Sequence, residues 1–225
     1  MNDQWLERWN PMRKFVFSLA VLSAAVLMSF AVFSAASAEP SFGLKGAAGR
    51  FNTTTFQSLG NSKDAQASWT NKASLDGKFS MFLEKTTNDQ YAFAAAIVNG
   101  VEGRTVGSLG ELAFSFTGDC NGGSPRFNLY FDSDGDGEAN GIAFLGCNNV
   151  TLTSPATGWQ TATFSNAYIL APVAGACYDF NPADDCSISL TATVTSLSVL
   201  IDIVGSNNID RVSVAGIATG EPNGD

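Results

Sequence analysis

From residue 78 onward the hydrophobic positions repeat with a period of two. Phe127, Leu129 and Phe131 alternate with Arg126, Asn128 and Tyr130, and Leu112-Ala113-Phe114-Ser115-Phe116 alternates apolar with small residues. That period describes a half-buried strand, whose successive side chains point to opposite faces. Residues 78–85 and 91–98 are rich in β-formers and flank the polar stretch Thr86-Thr87-Asn88-Asp89-Gln90. Residues 141–145, 160–164, 190–195, 197–204 and 209–214 continue the series. Turn-forming clusters such as Leu75-Asp76-Gly77 and Gly205-Ser206-Asn207-Asn208 separate the runs. After residue 38, no window of a dozen residues carries a 3.6-residue stripe. Roughly nine to eleven short strands predict an all-β chain, an antiparallel β-sandwich of jelly-roll type. Without an internal repeat, a solenoid or propeller is disfavoured.

The beginning of the chain has a different pattern. Arg13 and Lys14 precede an apolar run over residues 15–33, then Ser34-Ala35-Ala36-Ser37-Ala38 and Glu39-Pro40. A basic start, an apolar middle and a small-residue ending predict a signal peptide over residues 1–38, cut between Ala38 and Glu39. Met12, directly before Arg13, is the alternative start. An uncleaved anchor is the competing reading, since a nineteen-residue run, apolar but for three serines, is just long enough to span a bilayer; the Ala-Ser-Ala ending favours cleavage. Residues 39–225 are then a single β-sandwich domain, secreted, extracellular or periplasmic, with no membrane segment after cleavage. Cleavage removes Asp3, Glu7, Arg8, Arg13 and Lys14, leaving 9 basic and 19 acidic residues.

Composition narrows the chemistry. The chain has no histidine, so Ser-His-Asp and Cys-His devices and His-ligated zinc are excluded. A formal charge of −9 without a basic cluster excludes a nucleic-acid partner, because affinity for phosphate backbones comes from Lys and Arg. Four cysteines in an exported protein read as two disulfides, for which three connectivities exist. The favoured pairing is Cys120–Cys147, closing the hairpin of residues 126–131 and 142–145, with Cys177–Cys186 closing a small loop.

One motif is sharper than the rest: Asp132-Ser133-Asp134-Gly135-Asp136-Gly137. Oxygen ligands at positions 1, 3 and 5 of a loop, with glycine at 6, suit a hard cation, so Ca²⁺ is the expected cofactor. Glu138 at position 7 would offer its carbonyl, and Asn140 stands at position 9. Position 12 is Ala143, where an EF-hand carries glutamate, and strands rather than helices flank the loop; this is no EF-hand. Asp119, Asp184 and Asp185 are candidates to complete the shell. The competing reading is an acidic hairpin turn.

A secreted sandwich can present rings to the C–H faces of sugars and amides or carboxylates to their hydroxyls. Trp69, Trp159 and Tyr178 are the candidate ligand-binding residues, with Phe180 beside Tyr178. No carboxylate pair lies along a strand, and nothing in the spacing of Tyr91, Tyr130, Arg126 and Lys85 singles out a catalytic set.

The run from Val194 to Val204, followed by Asn208-Ile209-Asp210-Arg211-Val212-Ser213-Val214-Ala215-Gly216, resembles the closing strands of carbohydrate-binding-module-like and galactose-binding-like jelly-roll domains. Those often read Asp-Asn-Ile-x-Val-x-Gly; here Asn208 and Asp210 flank Ile209, a departure from that order. Gly123-Ser124-Pro125-Arg126-Phe127-Asn128-Leu129-Tyr130 is similar to segments of uncharacterised secreted bacterial β-sandwich proteins. The resemblance implies a jelly roll with a glycan or surface polymer as partner. The resulting expectation is a non-catalytic extracellular binding module. A structural or adhesive cell-surface or matrix protein is the alternative, and a carboxylate-based polysaccharide-active enzyme comes third.

Overall fold

The computed structural model describes residues 41–51, 62–172, 176–180 and 186–219. The expected signal peptide, residues 1–38, lies outside the described residues, as do Asp184 and Asp185. Twelve strands follow in chain order: β1 (Gly43–Arg50), β2 (Ala65–Thr70), β3 (Ser80–Lys85), β4 (Ala92–Asn99), β5 (Leu112–Thr117), β6 (Arg126–Asp132), β7 (Gly141–Gly146), β8 (Trp159–Phe164), β9 (Cys177–Asp179), β10 (Thr193–Ile201), β11 (Gly205–Val214) and β12 (Ile217–Ala218). The first sheet has the order β1-β4-β10-β6-β7-β9, and the second β2-β3-β11-β5-β8, with β12 on β11. Every neighbouring pair is antiparallel. This is the antiparallel jelly-roll β-sandwich that the alternation predicts. One helix, α1 (Asn166–Leu170), is found among the described residues, begun by Ser165 whose hydroxyl accepts from the Tyr168 N–H. No helix there is long and apolar enough to cross a membrane.

The period of two becomes the core directly. Leu112, Phe114 and Phe116 of β5 face Phe127, Leu129 and Phe131 of β6 across the sandwich, all at most 1% exposed. Phe114 meets Phe127 edge-on at 5.0 Å between centroids, and Phe127 meets Phe164 of β8 at 5.9 Å. These contacts tie sheet to sheet, and edge-to-face aromatic pairs add about 0.5–1.5 kcal/mol beyond area burial. Both expected disulfides are present: Cys120–Cys147 beside the β6–β7 hairpin, and Cys177–Cys186 across the loop after β9.

The structure departs from the expected segments in three places. Residues 190–195 and 197–204, read as two strands, contain instead the single strand β10, Thr193–Ile201, whose register against β6 shifts between Val194 and Ser196. The bulge supplies the interruption in the apolar alternation. Gly205-Ser206-Asn207-Asn208, read as a turn, opens β11 instead. There Asn207 donates to the Thr117 carbonyl, while the backbone N–H and side chain of Asn208 donate to Thr117 Oγ1 at 3.0 and 3.1 Å. Local turn preference yields to these cross-strand bonds. Finally, β1, β2 and the short strands β9 and β12 were not anticipated. A side chain at Gly46 of β1 would meet the Ala67 carbonyl and Met81 Sδ at 3.0 Å, so close approach demands a residue with no apolar signature.

Candidate functional site: a groove on the outer face of the first sheet

Residues of the first sheet that point away from the core are not uniformly polar. On β4 the outward set is Phe93, Ala95 and Ile97, and on β10 it includes Ser196, Ser198 and Leu200. Phe93, Ala95 and Leu200 are at most 6% exposed and form a separate apolar cluster with Phe51, whose ring stacks on Phe93 at 4.1 Å. A groove of about 490 Å³ lies over this cluster, with Tyr130 and Gly137-Glu138-Ala139 on its other side. Thr195, Ser196 and Ser198 give it hydroxyls. The β10 bulge falls at Thr195, whose Oγ1 is buried with no hydrogen-bond partner among the described residues.

The Tyr130 wall is braced along β6. Asp202, in the turn after β10, accepts from Arg126 Nη1 and Nη2 at 2.8 and 2.7 Å. Arg126 Nε donates to Asn128 Oδ1 at 3.0 Å, and the Asn128 side chain hydrogen-bonds the Tyr130 hydroxyl. The guanidinium also lies 5.0 Å from the Phe144 ring centroid. Every second residue of β6 faces outward, which is why Arg126, Asn128 and Tyr130 form this chain. Burial pushes the Tyr130 hydroxyl up to about 12, against smaller opposing pulls from Asn128 and the Arg126 charge. Lys85 Nζ, on β3, donates to the Asp202 backbone carbonyl, so the same turn is tied to both sheets. Burial lowers the Lys85 pKa, partly offset by the Asp202 and Asp89 charges.

The acidic loop is the end wall of this groove. Between β6 and β7, Asp132 accepts from the N–H groups of Asp134 and Gly135 through Oδ1 (3.1 and 2.7 Å) and of Gly137 through Oδ2 (2.9 Å). Those bonds, led by Gly135 and Gly137, hold its carboxyl below the usual aspartate value. Asn140 Oδ1 accepts from the Ser133 N–H at 2.6 Å, and its Nδ2 donates to Asp134 Oδ2 at 3.2 Å. Glu138 N–H donates to Asp136 Oδ1 at 2.8 Å. One carboxylate oxygen each from Asp132, Asp134 and Asp136 lies within 4.8 Å of the others, a set able to hold a metal ion. Asn140 has its carbonyl engaged in closing the loop, and Asp119 lies elsewhere, in a hollow beside Trp159.

The three aromatic candidates do not converge. Trp69 on β2 is half-buried, packs on the main core and borders a small hollow with Asp76, Asp210 and Arg211. Trp159, at the start of β8, is 7% exposed. Tyr178 on β9 pairs with Ile142 opposite Tyr130, on the grooved face, and is 42% exposed. Phe180 stands between the two tyrosines, 6.4 Å from Tyr130 and 6.2 Å from Tyr178. The groove floor itself was missed. Its signal was available in Ala92-Phe93-Ala94-Ala95-Ala96-Ile97-Val98, which is apolar on both faces, whereas an antiparallel strand with one solvated face alternates.

No family model and no curated protein matches the chain. Among solved structures, the fold is similar to carbohydrate-binding modules. A family 11 module from Clostridium thermocellum, in complex with a β-1,3-1,4-mixed-linked tetrasaccharide, is 13% identical, with 84% of this chain and 96% of that one covered and a TM-score of 0.45. The family 11 module of a cellulosomal cellulase from the same organism is 14% identical, with 83% and 94% covered and a TM-score of 0.48. A xylan-binding domain of family 22 is 13% identical, with 81% and 92% covered and a TM-score of 0.34.

Proposed function

We propose that this protein is a non-catalytic extracellular module that binds a glycan in the groove on the outer face of the first sheet. The observation that carries this reading is the groove's lining. Its apolar floor of Phe93, Ala95 and Leu200 lies beside the Phe51 and Tyr130 rings, with the hydroxyls of Thr195, Ser196 and Ser198 among them. Sugars present the matching pattern, apolar C–H faces rimmed by hydroxyls, and sites of this size with few placed polar groups are typical of small-ligand clefts. Among the described residues, Glu138 is the one carboxylate lining the groove. Paired-acid glycoside hydrolysis would require a second one about 5–10 Å away across the bound sugar. The disulfides and the signal-like residues 1–38 support export.

Asp132, Asp134 and Asp136 would hold Ca²⁺, which suits an all-oxygen donor set. An ion there would neutralise clustered charge and stiffen the loop whose residues Gly137, Glu138 and Ala139 wall the groove. The test of the binding reading is affinity electrophoresis of the full chain through mixed-linked β-glucan, xylan and other soluble polysaccharides. At least one should retard the protein, and Ser196→Trp, which fills the groove, should abolish the retardation while leaving the unfolding temperature unchanged. Failure of every polysaccharide, or unchanged binding by Ser196→Trp, would remove the basis of the proposal.

A further inference from the structure

The grooved face continues beyond the groove. Tyr130 lines the groove on one side, and on the other its ring neighbours Phe180, which neighbours Tyr178. Tyr178 reaches this face because β9 pairs with β7 in the register that sets Tyr178 beside Ile142 and Ile142 beside Tyr130. Most large apolar side chains are withdrawn from solvent here, whereas Tyr178 remains 42% exposed at the sheet edge. We propose that Tyr130, Phe180 and Tyr178 form a second sugar platform, so that the bound species is an extended glycan chain crossing the sheet from the groove to the β9 edge.

This inference rests on the groove being the glycan site. Three further observations support it. Successive centroids stand 6.4 and 6.2 Å apart, within the range of rings in mutual contact, so the three rings form one continuous row. The ring planes are tilted by 53° and 52°, a surface that suits a single chain turning from unit to unit and not a flat ribbon. Both ends of the row are also fixed. Tyr130 is braced through Asn128, Arg126 and Asp202, while Cys177, the residue before Tyr178, is joined to Cys186 and packs against the core. The Phe180 N–H donates to the Asn140 carbonyl at 2.7 Å, which anchors the middle ring to the acidic loop. Rings ordered before binding lose little freedom when a ligand arrives.

The platform separates long ligands from short ones, and that is the test. Affinities of the full chain are measured by titration calorimetry for trisaccharides and hexasaccharides cut from mixed-linked β-glucan and from xylan. Tyr178→Ala and Phe180→Ala should each weaken hexasaccharide binding about 2- to 12-fold, the worth of one aromatic contact, and leave trisaccharide binding unchanged. The paired variant Cys177→Ser, Cys186→Ser should show the same length-dependent loss. Unchanged hexasaccharide binding in both aromatic variants overturns the platform while leaving the groove reading intact. Equal weakening for both lengths also overturns it, because that is a general effect on the fold. If the unaltered chain binds no oligosaccharide of either length, the groove reading and the platform fall together.

Discussion

Replacing Asp202 with asparagine tests whether the groove wall is held electrostatically. The pair it forms with Arg126 is intermediate in exposure, with side chains 15% and 26% accessible, and it is bidentate at 2.7 and 2.8 Å. Breaking a fully buried pair costs about 3–5 kcal/mol, whereas an exposed pair contributes about 0–1 kcal/mol. Geometry and exposure place this pair between them, so Asp202→Asn should cost about 2 kcal/mol, near the value of one charge-assisted hydrogen bond. For a domain of this size that is a fall of about 4–8 °C in unfolding temperature. Most of the loss comes from leaving Arg126 half-buried against Phe144 without its counter-charge. Arg126→Met combined with Asp202→Asn should therefore cost less than the sum of the two single changes, as read by urea unfolding in a double-mutant cycle. Binding supplies an independent readout. Asn128 and Tyr130 lose their brace, so polysaccharide affinity should fall even where the protein is fully folded. A loss below about 0.5 kcal/mol, the level of an ordinary surface substitution, would refute this account of the wall, as would strictly additive single changes.

The other expectations are more local. Millimolar calcium should raise the unfolding midpoint relative to chelator, by about 1.4 kcal/mol at ten times Kd, and Asp134→Ala should abolish the rise; an unmoved midpoint in the unaltered chain removes support for the ion. Asp132 has its carboxyl held low by the Gly135 and Gly137 N–H groups, so its stabilising contribution is present above the ordinary aspartate value of about 3.9 and is lost as pH falls through the depressed value. The protection of the Gly135 and Gly137 amides, as the exchange rate relative to that of an unstructured peptide at the same pH, should fall on acidification through that window, and Asp132→Asn should remove the dependence; loop amides equally protected at both ends of the window would contradict it. Replacing Cys120 and Cys147 together by serine frees a 27-residue loop and should cost about 3.5 kcal/mol by loop-closure entropy, against about 2.6 kcal/mol for the 9-residue separation of Cys177 and Cys186. Denaturant midpoints of the two paired variants in the opposite order would show that strain or residual unfolded structure, and not loop length, dominates.

The strands that sequence reading located by a period of two are those whose two faces differ in polarity. β5 and β6 place phenylalanines on one face and small or polar residues on the other, so their period is visible without knowing what they pack against. The strands it missed are those where a neighbour sets the residue choice. Gly46 belongs in β1 because Ala67 and Met81 come too close for a side chain, and glycine and alanine carry no periodic signal. Asn207 and Asn208 read as turn formers because local propensity was weighed alone, without Thr117 ninety residues away as their hydrogen-bond partner. Misreadings of this kind come from partners distant in sequence, which no local window contains.

The candidate site divides along the same line. The Asp132–Asn140 loop was visible because its acidic residues lie within one short stretch, and the cysteine pairs because each closes a short stretch of chain. The groove was hidden because it is assembled from four strands distant in sequence: Phe93 from β4, Ser198 and Leu200 from β10, Tyr130 from β6, and Ala47 from β1. Tryptophan content pointed to Trp69 and Trp159, since large aromatics are the usual sugar contacts, yet the described contacts commit Trp69 to the main core and leave Trp159 only 7% exposed. The informative residues are smaller. Ser198 falls between buried Leu197 and Val199 on β10, and Phe93 between buried alanines on β4. A strand that sets a ring such as Phe93 among its outward residues gives its second face an apolar patch that water does not satisfy. On this sandwich that second face carries the groove, its acidic end wall and the row of rings leading to Tyr178, so the surface proposed for binding lies on one side of the first sheet.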